Sequence, residues 1–102
     1  MERVRTDESN GFFEVVAKTS RSQAAVMTLG PGRSTGGPAN RHRASDQWLY
    51  VKSGFGHATV EGRRIEIQPG DLVLIEAGET HEIENTGDEP LETVNVYAPP
   101  EY

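Results

Sequence analysis

The sequence predicts an all-β protein, a sandwich or barrel of about eight short strands. The chain of 102 residues holds 11 Gly and 6 Pro, and turn signals recur between short apolar runs. Several runs alternate apolar and polar residues with period two, as half-buried strands do. No stretch repeats apolar residues at i, i+3, i+4 and i+7 for long enough to predict a helix.

Eight runs have the length and composition of strands. They are Phe12–Lys18, Gln23–Leu29, Trp48–Lys52, His57–Glu61, Arg64–Gln68, Leu72–Ile75, His81–Asn85 and Leu91–Tyr97. Turn residues such as Gly30-Pro31-Gly32 and Pro69-Gly70 separate them. We expect a single domain over residues 1–102, in which an N-terminal arm (1–10) and a C-terminal tail (98–102) need something to pack against.

Charge and composition exclude several classes of protein. Sixteen acidic against ten basic residues give a net charge of −6, which argues against nucleic acid as the main partner. All ten basic residues lie in residues 1–64, whereas residues 65–102 carry ten acids and no base. We expect the acidic outer positions of the late strands to lie near basic residues of the early ones.

The sequence also shows no targeting signal and no cysteine. No run approaches the ~18 apolar residues of a membrane span, and residues 1–7 contain no apolar stretch of the signal-peptide kind. A cytoplasmic location is therefore expected, with no membrane partner. The chain has no Cys, which excludes disulfides, thiolate metal sites and a Cys nucleophile.

The segment Gly70–Asn85 carries the clearest motif. Gly70, Gly78, His81 and Asn85 stand at four of the five fixed positions of the pattern G-x5-P-x-G-x2-H-x3-N, and Glu76 stands where that pattern has Pro. This pattern is the second motif of the cupin superfamily, which the segment resembles at every spacing.

The segment Gly36–Gly54 resembles the first cupin motif, G-x5-H-x-H-x3,4-E-x6-G, less fully. His42 fits the second His, Gln47 stands in place of the Glu, and Asn40 falls at the first His. The two segments cover about half of the chain, in the family's order. On this basis the protein is identified as a small single-domain member of the cupin superfamily.

This resemblance implies a jelly-roll β-barrel of two antiparallel sheets, with eight to eleven strands and a metal site at its open end. Typical members hold a divalent transition metal there with three His and one Glu. When the metal ligands of typical members are matched to this sequence by motif position, the candidate ligands are His42, Gln47, His81 and Asn40. Zn, Fe, Ni, Mn and Cu are not distinguishable from these residues.

The chemistry of this set leaves two alternatives, because it brings no negative charge and amide oxygens are weaker ligands than imidazole. The site either binds metal weakly or not at all, as a polar pocket, or holds a metal that favours an anionic ligand. Alternation sends Asp46 to the face opposite Gln47. Glu76 is a candidate rim acid, although an exposed turn residue is the simpler interpretation.

The neighbours of Gln47 predict an apolar pocket wall and an outer apolar surface. Leu49 and Val51 share the face of Gln47, whereas Trp48 and Tyr50 face the other side and predict packing on another sheet or subunit.

Other aromatic and basic residues have two interpretations each. Phe12, Phe13 and Tyr97 are candidates for barrel filling or pocket lining. Arg41 and Arg43 either steer an anion toward His42 or are solvated. His57 matches no motif position and is assigned to the barrel wall or surface.

Three functional hypotheses follow from these residues. The protein is a metal-dependent enzyme of a dioxygenase- or isomerase-like kind, a metal-free module that binds or senses a small molecule, or a structural dimer. No Ser–His or paired-carboxylate set offers a metal-free mechanism, so whether the protein is an enzyme stays open. Small cupins often pair, and this resemblance, with the outer aromatic residues, predicts a homodimer.

Overall fold

The protein folds as an all-β structure, as the sequence predicts. The computed structural model describes residues 1–8, 11–37, 41–42 and 44–102. The strands are β1 Phe13–Lys18, β2 Gln23–Leu29, β3 Asp46–Ser53, β4 Gly56–Val60, β5 Arg63–Ile67, β6 Leu72–Ile75, β7 His81–Asn85 and β8 Leu91–Ala98. A 3₁₀ turn spans Thr6–Glu8. The described residues include no helix that is long and apolar enough to cross a membrane.

Two antiparallel sheets form the jelly-roll barrel. The larger has the strand order β1-β2-β8-β3-β6, and the smaller has the order β5-β4-β7. The neighbours β8 and β3 are far apart in sequence, and so are β2 and β8, hence the larger sheet is built from long-range pairs. The predicted fold class is therefore confirmed.

The core lies between the sheets, because alternate residues of each strand point inward. Leu49, Val51, Ala58, Ile83 and Leu91 are completely buried. The outward residues of β3 are exposed, so its first seven residues, from Asp46 to Lys52, alternate regularly between exposed and buried. This alternation is the pattern from which the sequence predicted the strand faces.

Some strands end at residues other than the predicted ones. Glu61 was placed at the end of a strand, but it has φ = 50° and is followed by Gly62 with φ = 78°. Two consecutive positive φ values are the signature of a type I′ hairpin turn. The tail is also shorter than predicted, because Ala98 pairs with Asp46 as the last residue of β8.

Phe12 lies outside the core, so barrel filling, one of its two interpretations, is wrong for it. Its side chain is 54% exposed, since β1 begins one residue later and is the edge strand of its sheet. Phe13 is half-buried against the core, and Tyr97 is fully buried.

Candidate ligand-binding site

The two sequence motifs meet at one end of the barrel through backbone hydrogen bonds. Gly78 N donates to His42 O at 2.7 Å, and Arg41 forms a β-bridge with Thr80. The turn of the second motif therefore fixes the backbone that carries His42. This contact explains how a residue outside the named strands is held in place.

His42 and His81 lie side by side at this end. Their ring centroids are 4.8 Å apart, and both side chains are buried, with 7% and 3% exposure. The motifs predicted this proximity correctly. Asn40 and Arg43, which the sequence placed beside them, lie outside the described residues.

Gln47 points inward from β3 and begins a buried chain of hydrogen bonds. Its Oε1 lies 3.1 Å from His42 Nε2, and its Nε2 donates to Asn95 Oδ1 at 2.9 Å. Asn95 Nδ2 donates to Thr93 Oγ1, which in turn donates to Met27 O, each at 3.0 Å. Because the hydroxyl has a single hydrogen and donates it to a carbonyl, the direction of every bond in the chain is determined.

This direction makes His42 Nε2 a donor, since it faces the carbonyl oxygen of Gln47. The other ring nitrogen, Nδ1, lies 3.1 Å from Glu101 Oε1. A carboxylate oxygen and an imidazole nitrogen attract at this distance only with a proton between them. His42 therefore carries a second, proton-linked contact to a carboxyl group inside the site.

Glu101 is the functional residue that the sequence analysis missed. It belongs to the tail after β8, and no local pattern relates it to His42, 59 positions earlier. Ser45 Oγ lies 2.6 Å from Pro99 O and 3.1 Å from Glu101 Oε2, which directs the tail toward the site. The tail thus supplies a carboxylate where the motif residue, Gln47, is neutral.

The last residue of the tail covers the site with its ring. The Tyr102 ring centroid lies 4.8 Å from Phe13, 5.2 Å from Tyr97 and 5.8 Å from His42. Beneath it is a pocket of about 250 Å³. Its lining residues are Phe12, Phe13, Met27, Thr35, His42, Gln47, His81, Ile83, Tyr97 and Tyr102. An apolar wall with a few polar groups at one pole is typical of small-molecule sites.

Burial favours the neutral forms of three titratable groups in the pocket, His81, Tyr97 and Tyr102. Burial lowers the pKa of His81; the Glu79 carbonyl opposes this shift, and nearby His42 adds to it. Burial is also the main reason why the pKa values of Tyr97 and Tyr102 are raised. At neutral pH the pocket therefore offers two phenolic O–H groups and a neutral imidazole.

In this arrangement His42 offers no free ring nitrogen to a metal ion. Both ring nitrogens of His42 are engaged, by Gln47 and by Glu101. Across residues 1–8, 11–37, 41–42 and 44–102, no three His, Asp or Glu side chains form a group that could hold a metal.

The remaining predicted residues lie away from the pocket. Asp46 is exposed and accepts from Ala77 N at 2.9 Å, and Glu76 is exposed in the turn after β6. His57 contacts Arg64 on the outer face of the smaller sheet. Arg41 is exposed.

Two motif residues have structural roles. Asn85 Nδ2 donates to the carbonyls of Leu29 and Glu89, and its Oδ1 accepts from Gly87 N. Gly54 has φ = 90°, and a Cβ there would lie 2.4 Å from Pro90 O. Both residues close the end of the barrel opposite the pocket.

Comparison with known proteins relates the chain to one family. A family model described as "Cupin domain" matches residues 25–97. An oxalate-binding protein of Thermotoga maritima is 36% identical over 72 residues, which are 71% of this chain and 58% of that protein. A mannose-1-phosphate guanylyltransferase of Klebsiella pneumoniae is 30% identical over 84% of this chain but only 18% of the enzyme. The chain thus spans less than two thirds of either relative.

Solved structures share the architecture. A protein from Bacillus halodurans superimposes with a TM-score of 0.87 at 28% identity, covering 95% of this chain and 76% of that one. A Thermotoga maritima protein described as a predicted oxalate decarboxylase has a TM-score of 0.75 at 25% identity, over 97% of this chain and all of the other.

Proposed function

Because the chain belongs to the cupin family, we propose that its barrel pocket binds a small carboxylate without a metal ion. The observation that carries this proposal is the contact between His42 Nδ1 and a carboxylate oxygen at 3.1 Å, at the polar pole of the pocket. The His42 imidazole presents a proton to the carboxylate oxygen, and the chain of hydrogen bonds through Gln47 holds the ring in place. Such an imidazole is suited to bind the carboxylate of a ligand.

The rest of the pocket suits such a ligand. Tyr97 lines the pocket, and its phenolic O–H is a hydrogen-bond donor suited to an anionic oxygen. The similarity to a protein named for oxalate binding supports the same ligand class. Oxalate is therefore the first compound to test, followed by malonate and other short carboxylates.

Isothermal titration calorimetry with oxalate, in buffer containing a chelator, tests the proposal. We expect His42→Gln to lose at least tenfold in affinity, since a charge-assisted hydrogen bond is worth roughly 1.5–3 kcal/mol. His57→Gln is the matched control, because His57 lies on the outer face of the smaller sheet. Equal affinity in the two variants, or no binding of any short carboxylate to the wild-type protein, contradicts the proposal.

A divalent metal in the same pocket is the second candidate, favoured by the two imidazoles with centroids 4.8 Å apart. Ligation by His42, Gln47, His81 and Asn40 stays a prediction, and so does a metal-dependent, dioxygenase- or isomerase-like activity. Elemental analysis of protein purified without added metal decides between the candidates. Stoichiometric metal in the wild type that is lost in His81→Ala would replace our first proposal.

We also propose that the protein forms a homodimer through the outer face of β3. Trp48 and Tyr50 are 43% and 44% exposed, and Trp48 is flanked by Leu74 on β6 and Val96 on β8, both partly exposed. These side chains form a contiguous apolar patch on the larger sheet, of the kind that marks an interaction surface.

The charges at the two ends of the patch favour a second copy as the partner. Asp46 and Lys52 are the exposed outward residues at either end of β3. A two-fold axis lying in the interface and crossing β3 at Leu49 sets Asp46 of each copy against Lys52 of the other. Such an interface is self-complementary, as a two-fold contact requires.

Light scattering at micromolar concentration tests the dimer. We expect twice the chain mass of 11.2 kDa for the wild type and a monomer for Trp48→Lys. The control is Phe55→Lys, because Phe55 is 58% exposed and lies outside the patch. A monomeric wild type, or a dimeric Trp48→Lys, contradicts the proposal.

A further inference from the structure

We propose that residues 99–102, the C-terminal arm, compete with the ligand for the pocket. Glu101 occupies the carboxylate position on His42, and an incoming carboxylate displaces it. This inference rests on the proposed function. It adds a competitor within the chain, so that the apparent affinity of the pocket depends on how often this C-terminal arm is released.

The first argument is that Glu101 and the proposed ligand would make the same contact with His42. Glu101 presents the same chemical group as the proposed ligand to the same ring nitrogen, at 3.1 Å. Two carboxylates cannot share one N–H in this geometry without strong repulsion. Binding of a ligand carboxylate at His42 therefore requires that Glu101 move away.

The second argument is the way in which the arm is held. Gln23 Oε1 accepts from Glu101 N at 3.2 Å and from Tyr102 N at 2.9 Å, and its Nε2 donates to Tyr102 O at 2.5 Å. Lys18 Nζ also donates to Tyr102 O, at 2.9 Å. Gln23 belongs to β2 and is absent from the pocket lining. The tether is thus separate from the residues that would touch a ligand.

The third argument is the kind of contact that release breaks. Tyr102 is 54% exposed and the Glu101 side chain 26% exposed, so release gives up the partial burial of one ring and no residue of the core cluster. The polar groups of the arm exchange protein partners for water when it leaves, at about 0.5–1.5 kcal/mol per hydrogen bond. The ligand carboxylate takes the place of Glu101 on His42, so no buried charge is left without a partner.

Two variants weaken the arm by different routes. Glu101→Gln keeps the shape but removes the charge that pairs with His42, and Gln23→Ala removes the tether without substituting a residue that lines the pocket. The apparent affinity is the intrinsic affinity multiplied by the fraction of chains in which the arm is released. Each variant removes a charge-assisted hydrogen bond or three ordinary ones, so both should bind oxalate more tightly, by about tenfold or more. Glu66→Gln is the matched control, since it removes the same charge from an exposed position on β5.

Hydrogen exchange provides a readout that does not depend on affinity. The amides of Glu101 and Tyr102 donate to Gln23 in the closed arrangement. We expect oxalate to accelerate their exchange in the wild-type protein, whereas a ligand that binds beneath a fixed arm would slow it.

The outcomes separate the two proposals. If the wild type binds oxalate but Glu101→Gln and Gln23→Ala bind it equally or more weakly, the arm is part of the site and the displacement proposal is wrong. If no form binds a short carboxylate, the proposed function fails and this inference with it. Binding to the wild type that becomes tighter in both variants supports the arm as a competitor.

Discussion

Replacing Gln47 by Glu tests the direction of the buried hydrogen-bond chain, and with it the basis for a metal-free site. Gln47 Nε2 donates to Asn95 Oδ1 at 2.9 Å. A Glu side chain at this position sets one of its carboxylate oxygens against that acceptor. Asn95 can donate instead only if its amide turns over, and its oxygen would then take the hydroxyl hydrogen that Thr93 now donates to Met27 O.

The size of the effect follows from these contacts. Losing one buried hydrogen bond with its acceptor unpaired costs about 1–3 kcal/mol, and confining a charge at a position only 3% exposed adds to it. Pairing with His42 offsets part of this cost. We expect a net loss of about 2–4 kcal/mol in the free energy of unfolding, which lowers Tm by roughly 10–20 °C in a chain of this size.

The assay is thermal unfolding in the presence of a chelator, compared with the same experiment after addition of Zn²⁺, Ni²⁺ or Mn²⁺. Gln68→Glu is the matched control, because Gln68 is exposed and the same change there should cost at most about 0.5 kcal/mol. A buried carboxyl has a raised pKa, so the loss of stability in Gln47→Glu should be smaller at pH 5 than at pH 7.

Gln47→Glu with wild-type stability in chelator would refute the direction assigned to the chain. Full rescue by a metal ion would instead show that a carboxylate at position 47 completes a metal site, as the comparison with the first cupin motif predicts. Instability that metal does not relieve is the outcome that we expect.

Three further outcomes follow from the geometry. The pKa of His81 should lie below the unperturbed value of about 6.5 in an NMR titration. The contribution of His81 to folding stability should be constant above that pH and fall as pH drops below it, and a pH-independent His81→Asn difference would contradict this. Gly54→Ala should lose more than 2 kcal/mol in urea unfolding, because its Cβ meets Pro90 O, whereas Gly70→Ala, with positive φ but open space, should lose about 1 kcal/mol; equal losses would contradict the close approach. Asn85→Ala should lower Tm through three lost hydrogen bonds while leaving oxalate affinity unchanged, and a calorimetric loss of binding would place Asn85 in the site.

The strands and the two histidines were predictable because their signals are local. Period-two alternation sets which face each side chain occupies, and this rule places Gln47 inward and Trp48 outward without any knowledge of the partner strands. The spacing within Gly70–Asn85 likewise identifies His81 within a single turn and strand. The same rule assigned Glu61 to a strand, but the positive φ of Glu61 shows that it is a turn residue.

The carboxyl group and the amide chain were not predictable in the same way. Glu101 reaches His42 only because the tail turns back past Ser45, a contact between residues 56 positions apart. Asn95 carried a weak signal, since it occupies an inward position of β8 between Thr93 and Tyr97. A polar residue at an inward position predicts a partner, but the strand order that supplies Gln47 as that partner is a property of the whole sheet.

The central position of β8 in the larger sheet has a consequence for the synthesis of the protein. β8 lies between β2 and β3, so each of these strands lacks one of its two neighbours until residues 91–98 have left the ribosome. Until then β2 and β3 expose unpaired edges, which are the elements most prone to join other chains. The larger sheet is therefore completed only after β8 has emerged, and a nascent chain stalled before β8 should depend on chaperones more strongly than the finished protein does.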